Sequence, residues 1–216
     1  NMQKDQRRTE VFKRIPIIAI LRGIRPEESL DMAEALVESG FGILEIPLNS
    51  PQPLESIRRL SAYYRDSVII GAGTVTTSDQ VKAVHQAGGR IVLSPHCNPQ
   101  VIEQTRACGM IAMPGIATPT EAFSALAAGA DALKLFPAEL ITPAVMQAMA
   151  AILPPGCPLV PVGGIDEHNW QQYFRKGASG FGLGSSLYRR GASAEETRLR
   201  ARVFQASWMA EQEFAG

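Results

Sequence analysis

The chain has 216 residues, 45% of them hydrophobic and 19% charged, and its 21 basic and 21 acidic side chains cancel to a formal net charge of zero. That composition suits a globular protein with a sizeable core, and the absence of a basic stripe argues against nucleic acid as a partner. No apolar run reaches the roughly 18 residues that a membrane-spanning helix needs, so no membrane association is expected. The opening stretch NMQKDQRRTEVFKR is polar and charged, unlike a signal peptide. Cys97, Cys108 and Cys157 are odd in number and form no CxxC pair, which points to a reducing, cytoplasmic setting.

Taken in chain order, residues 2–14 read as a helix ahead of the first strand. Eight short apolar runs then follow, at 17–21, 43–48, 68–73, 91–95, 110–115, 132–137, 159–164 and 180–185. They are continuously apolar, as expected of parallel strands buried on both faces. Between them lie segments with apolar residues three and four apart. Residues 27–39 are expected to bury Leu30, Ala33, Leu36 and Val37, and residues 118–128 to bury Phe123, Leu126 and Ala127. Glycines at Gly40, Gly88, Gly109, Gly129 and Gly177 mark helix ends, and residues 194–212 read as a closing helix. Eight strand–helix repeats without a Pro- or Ser-rich linker predict an α/β fold, one closed (β/α)8 barrel of the TIM type. The whole chain, 1–216, is read as a single domain, with 1–14 as an extension. An open doubly wound sheet would usually carry GxGxxG after its first strand, and Leu21-Arg22-Gly23-Ile24 is not that motif.

Barrel chemistry sits at the C-terminal strand ends, so the polar residues there matter most. Glu45 and Lys134 are each a lone charge within an apolar strand. Burying an isolated ion costs several kcal/mol, so such residues are paired or functional. The chain has five lysines, Lys4, Lys13, Lys82, Lys134 and Lys176, and only Lys134 is flanked by apolar residues on both sides. Burial and a cationic neighbour such as Arg22 would lower its pKa and free the amine that a carbonyl-attacking nucleophile requires. The plainer alternative is a structural Glu45–Lys134 ion pair. Arg22 and Thr74 on neighbouring strand ends favour catalysis. A second group, Gly163-Gly164 and Gly184-Ser185, follows strands seven and eight, where barrels often hold phosphate, with Asp166 able to cap the next helix. His85 reads as surface or packing, and His168 as part of a helix's first turn. His96 stands at a strand end. His96 with Cys97 finds no further ligand at metal-binding spacing, so no metal is expected. Arg7-Arg8 and Arg189-Arg190 read as solvated surface, Trp170 and Trp208 as helix packing, and Met110 and Met113 as buried strand.

The stretches IIAILRG (17–23), EIPLNSP (45–51), GAGTV (71–75), ALKLFP (132–137) and Val162-Gly163-Gly164 resemble the KDPG/KDPGal aldolase family in order over about residues 15–190. The resemblance implies a class I aldolase that splits a 2-keto-3-deoxy-6-phosphosugar acid into pyruvate and glyceraldehyde 3-phosphate, without metal or other cofactor. It implies Lys134 as the Schiff-base residue and Glu45 as the general acid/base. Arg22 and Thr74 would hold the carboxylate end, and Gly163, Gly164, Gly184 and Ser185 the phosphate end. It further implies a homotrimer. Gluconate-type members tend to carry arginine where this chain has Asn49, and threonine where it has Val162. Both differences favour the galactonate epimer, although members can accept both. The competing expectations are the gluconate epimer or dual specificity, an isomerase or epimerase with Glu45 as base, a metal-dependent aldolase, and a non-catalytic sugar-phosphate sensor.

Overall fold

The computed structural model describes residues 17–215, with side chains through Glu211; the helix expected at 2–14 lies outside them. Strands and helices alternate: β1 (Ile17–Ile20), α1 (Ser29–Val37), β2 (Ile43–Pro47), α2 (Pro53–Tyr64), β3 (Ile69–Gly73), α3 (Ser78–Gln86), β4 (Ile91–Leu93), α4 (Pro99–Ala107), β5 (Ile111–Met113), β6 (Gly115–Ile116), α5 (Pro119–Ala127), β7 (Leu133–Leu135), α6 (Pro143–Ala150), β8 (Leu159–Pro161), α7 (Trp170–Phe174), β9 (Phe181–Leu183) and α8 (Ala194–Ala215). Every strand pairing is parallel. One sheet runs β5-β4-β3-β2-β1-β9 and the other β6-β7-β8.

The two sheets are one ring. The expected fifth strand is broken at Pro114, which has no N–H to offer the ladder. Its first half pairs with β4 and its second with β7. At the other seam a parallel bridge joins Val162 to Gly182. Eight strand positions therefore close on themselves, as the sequence predicts.

Strand parity divides the core into two layers. Ile18, Ile20, Ile43, Ile69, Ile91, Leu93, Ile111, Met113, Ala132, Val160 and Val162 fill the barrel interior. The alternate residues, among them Leu44, Ile46, Leu133 and Leu135, pack outward under the helices. Both faces are dry, which is why the strands read as unbroken apolar runs.

The helices differ from expectation in which stripe they bury. A 3-10 turn, Pro26–Glu28, precedes α1. The α1 helix buries Ser29, Met32, Ala33 and Leu36, an i, i+3, i+4, i+7 stripe that leaves Leu30 36% exposed. The α5 helix packs through Ala122 and Ala125. These small side chains let it lie close on the barrel, and Phe123 turns outward, 48% exposed, with Ala127 exposed too. All five expected helix-ending glycines take positive φ, between 75° and 99°, the left-handed cap conformation. Trp170 is fully buried. Its ring lies 4.9 Å from that of Trp208 and 5.8 Å from that of Phe181, which clamps α8 and α7 onto β9.

Candidate active site

Because all strands are parallel, their C-terminal ends share one mouth. Strand β1 delivers Arg22, β2 Asn49, β3 Thr74, β8 Val162 with Gly163-Gly164, and β9 Gly184-Ser185. A cavity of about 370 Å³ opens there, lined by Arg22, Phe136, Val162, Gly163, Gly164 and Ser185, together with Ile20, Ile165, Gly184, Tyr188, Arg189 and Arg190.

Glu45 and Lys134 sit one layer below the mouth. Leu44 and Ile46, the neighbours of Glu45, pack outward, as do Leu133 and Leu135 on either side of Lys134. Alternation therefore turns both charged side chains into the barrel. Glu45 is 2% and Lys134 5% exposed. Burial pushes the Glu45 carboxyl up to about 7, against the opposing pull of Lys134 and Arg22. Burial lowers the Lys134 ammonium, with Arg22 adding to that and Glu45 opposing it. The Lys134 Nζ stands 4.6 Å from the centre of the Phe136 ring, so the amine adjoins the cavity wall.

Two observations disfavour the purely structural ion pair. The Glu45 Oε2 atom is buried without a hydrogen-bond partner, whereas a structural carboxylate would have its lone pairs satisfied. Space has also been cleared for that carboxylate, since a Cβ on Gly73 would lie 1.9 Å from Glu45 Oε1. On the same strand a Cβ on Gly71 would instead lie 2.0 Å from the Ile91 carbonyl oxygen. These two clashes predict different phenotypes. Gly73→Ala displaces a flexible side-chain end, so turnover falls about 10- to 100-fold with little change in melting temperature. Gly71→Ala presses on backbone and costs about 1–3 kcal/mol of stability. Thermal denaturation beside a pyruvate-release assay separates the two.

At the rim, Arg22 donates through one terminal nitrogen to Asn49 Oδ1 at 2.6 Å and to Thr74 Oγ1 at 3.3 Å. Thr74 has φ 56°, a left-handed conformation uncommon for a branched residue and often retained at working sites. The Gly23 amide donates to Ser50 Oγ at 2.9 Å, fixing the loop that carries Arg22. On the opposite wall Gly163 and Gly164 have φ 109° and 65°. The φ of Gly163 favours glycine there, and an added Cβ would also meet Glu139 Oε2 at 2.5 Å and displace that side-chain end. Asn169 donates to the Gly164 carbonyl at 2.7 Å, and His168 N donates to Asp166 Oδ1 at 2.9 Å.

All ten residues singled out from the sequence thus belong to one assembly. Arg22, Val162, Gly163, Gly164, Gly184 and Ser185 line the cavity itself. Asn49 and Thr74 join through Arg22, Lys134 through Phe136, and Glu45 through its coupling to Lys134. His96 does not line the cavity, and His168 lies in the turn ahead of α7 rather than in a helix's first turn. The reading of Arg189-Arg190 is corrected too: the pair borders the cavity instead of lying on plain solvated surface. Phe136 was also missed. Its place two residues past Lys134 was the available signal, since parity sends it inward too. Among the described residues, no group of three or more His, Cys, Asp or Glu is placed to hold a metal ion.

Residues 9–201 match the family described as KDPG and KHG aldolase. The chain belongs to the KDPG and KHG aldolase family. Within it, a protein of Rhizobium meliloti (strain 1021), named a probable 2-dehydro-3-deoxy-6-phosphogalactonate aldolase, is 47% identical over 186 residues, covering 86% of this chain and 88% of its own. The 2-dehydro-3-deoxy-6-phosphogalactonate aldolase of Escherichia coli (strain K12) is 44% identical over 191 residues, 88% and 93% of the two chains. A solved structure described as native KDPGal superposes with a TM-score of 0.90 at 42% identity, covering 92% of this chain and 97% of that one. The closed barrel is thus the fold of a KDPG-type aldolase.

Proposed function

We propose that this protein is a class I aldolase that cleaves 2-dehydro-3-deoxy-6-phospho-D-galactonate to pyruvate and D-glyceraldehyde 3-phosphate through a Schiff base on Lys134. The observation that carries the reading is the buried, unsatisfied Glu45 beside a pKa-lowered Lys134 beneath the cavity. In the proposed reaction the neutral Lys134 amine adds to the C2 carbonyl, and the carbinolamine loses water to give an iminium. Glu45, with a pKa of about 7, can give the proton that departs with that water and take one back. As carboxylate it accepts the C4 hydroxyl proton while the C3–C4 electron pair moves into the iminium. Glyceraldehyde 3-phosphate leaves, the enamine is protonated at C3, and hydrolysis frees pyruvate and the amine.

Arg22, oriented by Asn49 and Thr74, is assigned to the substrate carboxylate. The amides of Gly163, Gly164, Gly184 and Ser185, with the Ser185 hydroxyl, are assigned to the phosphate. The scheme uses no metal, so a chelator leaves turnover unchanged. Supporting the galactonate epimer are Asn49, Val162 and the names of the two relatives. A coupled pyruvate assay on both C4 epimers tests this. The wild type favours the galacto substrate, and Val162→Thr, which adds a hydroxyl to the wall, narrows the preference by about tenfold. Equal rates on the two epimers in the wild type would remove the assignment.

In this proposal residues 1–216 form one catalytic domain of a cytoplasmic homotrimer. Among the described residues no helix is long and apolar enough to cross a membrane. Light scattering tests the trimer, which requires three times the 23.3 kDa of one chain.

A further inference from the structure

Three arginines line the cavity, and the carboxylate of Glu139 lies against Gly163 and Gly164 at its edge, which makes a cationic counterpart for a bound anion more necessary. Arg22 is engaged by Asn49 and Thr74. The other two follow β9 directly. Arg189 donates through Nε to the Ser185 carbonyl at 3.0 Å, so its guanidinium is tethered to a residue of the cavity wall. The stem of Arg190 lies over Gly23, where an added Cβ would come 3.4 Å from Arg190 Cβ and Cδ. Glu28 is the carboxylate that feels the charge of Arg190, but Arg25 already holds it through both oxygens, at 3.1 Å each. Among the described residues, no carboxylate forms an ion pair with Arg190. The glycine amides nearby are neutral donors, which orient an anion without cancelling its charge. A phosphate monoester dianion in the mouth therefore needs cations, and these two guanidiniums have donors to spare.

Resting on the aldolase reading above, we propose that Arg189 and Arg190 form the charge-neutralising side of the phosphate end and set the preference for phosphorylated over unphosphorylated sugar acids. Both side chains are exposed, so replacing them spares the core. The test compares kcat/KM for the 6-phosphorylated 2-keto-3-deoxy sugar acid with that for the same acid lacking phosphate. In Arg189→Gln/Arg190→Gln the ratio of the two falls by about ten- to hundredfold, the worth of one charge-assisted hydrogen bond or slightly more. The loss lies in KM rather than kcat, and Arg190→Lys in place of glutamine recovers part of it. A ratio unchanged in the double variant, or a loss confined to kcat, overturns the proposal. A second arm does not depend on turnover. Inorganic phosphate raises the melting temperature of the wild type and has less effect on the double variant; equal shifts overturn the proposal. A wild type that binds phosphate but releases no pyruvate from any such acid overturns the aldolase reading instead.

Discussion

Lys134→Met stops pyruvate release, lowering kcat by about 10⁴-fold or more, as expected when a covalent group that works as part of a unit is removed. Methionine keeps the unbranched stem and loses the amine, so the barrel interior stays filled. The phosphate end lies elsewhere, and inorganic phosphate still stabilises the variant. Stability follows from the pKa directions. Lys134 is lowered by burial, so the folded state holds its ammonium less readily than the unfolded state. The cost is fully present below its folded pKa and is relieved as pH rises towards the unfolded value. Replacing only the lysine leaves Glu45 without its opposing charge, and the Glu45 pKa then climbs above about 7. Replacing both, in Lys134→Met/Glu45→Gln, removes two buried ionisable groups, one of which, Glu45, has an oxygen without a hydrogen-bond partner. That double variant is more stable than the wild type near neutral pH by about 1–3 kcal/mol. Such a gain in a dead enzyme marks residues kept for chemistry.

Glu45→Gln alone lowers kcat by about 10²- to 10⁴-fold, the usual contribution of a positioned acid or base. The pH profile identifies the cause. In the wild type kcat/KM rises through about pH 7 as the Glu45 carboxylate forms. In the variant that limb is lost and only the Lys134 ionisation remains, moved lower because Glu45 no longer holds its proton on. Stability moves the other way. The Glu45 carboxyl rises from 4.5 unfolded to about 7 folded, so the folded state binds more protons within that window. The Glu45 contribution to wild-type stability therefore falls as pH rises from about 4.5 to about 7 and then levels. The shift corresponds to roughly 3 kcal/mol. Glutamine does not titrate, so Glu45→Gln gains on the wild type across this window. Denaturant melts at about pH 5 and about pH 8 check the sign; a gap that shrinks with pH contradicts it.

The barrel was legible because its strands are buried on both faces, so each one stands out as an apolar run that a lone charge interrupts visibly. Lys134 and Glu45 are conspicuous for that reason, and strand parity alone turns both inward. What escaped sequence reading had specific causes. Pro114 looks like one more residue of an apolar run, and only the ladder shows that it hands the chain from one sheet to the other. The apolar spacing of 118–128 suggested that Phe123 was buried, whereas Ala122 and Ala125 make the contact because a helix on a barrel sits closer through small side chains. Phe136 reads as core until its parity with Lys134 is counted. Arg189-Arg190 reads as solvent-facing, since a basic pair in a polar stretch has no local mark. Its position four and five residues past Ser185 was the only clue that it returns to the mouth.

Borohydride trapping is the most direct test for an imine on Lys134. The protein is incubated with pyruvate, reduced, digested and mapped by mass spectrometry. The expected product is a reduced pyruvyl adduct on the peptide carrying Lys134, absent from Lys134→Met. An adduct on another lysine, or none from protein that releases pyruvate, would contradict it.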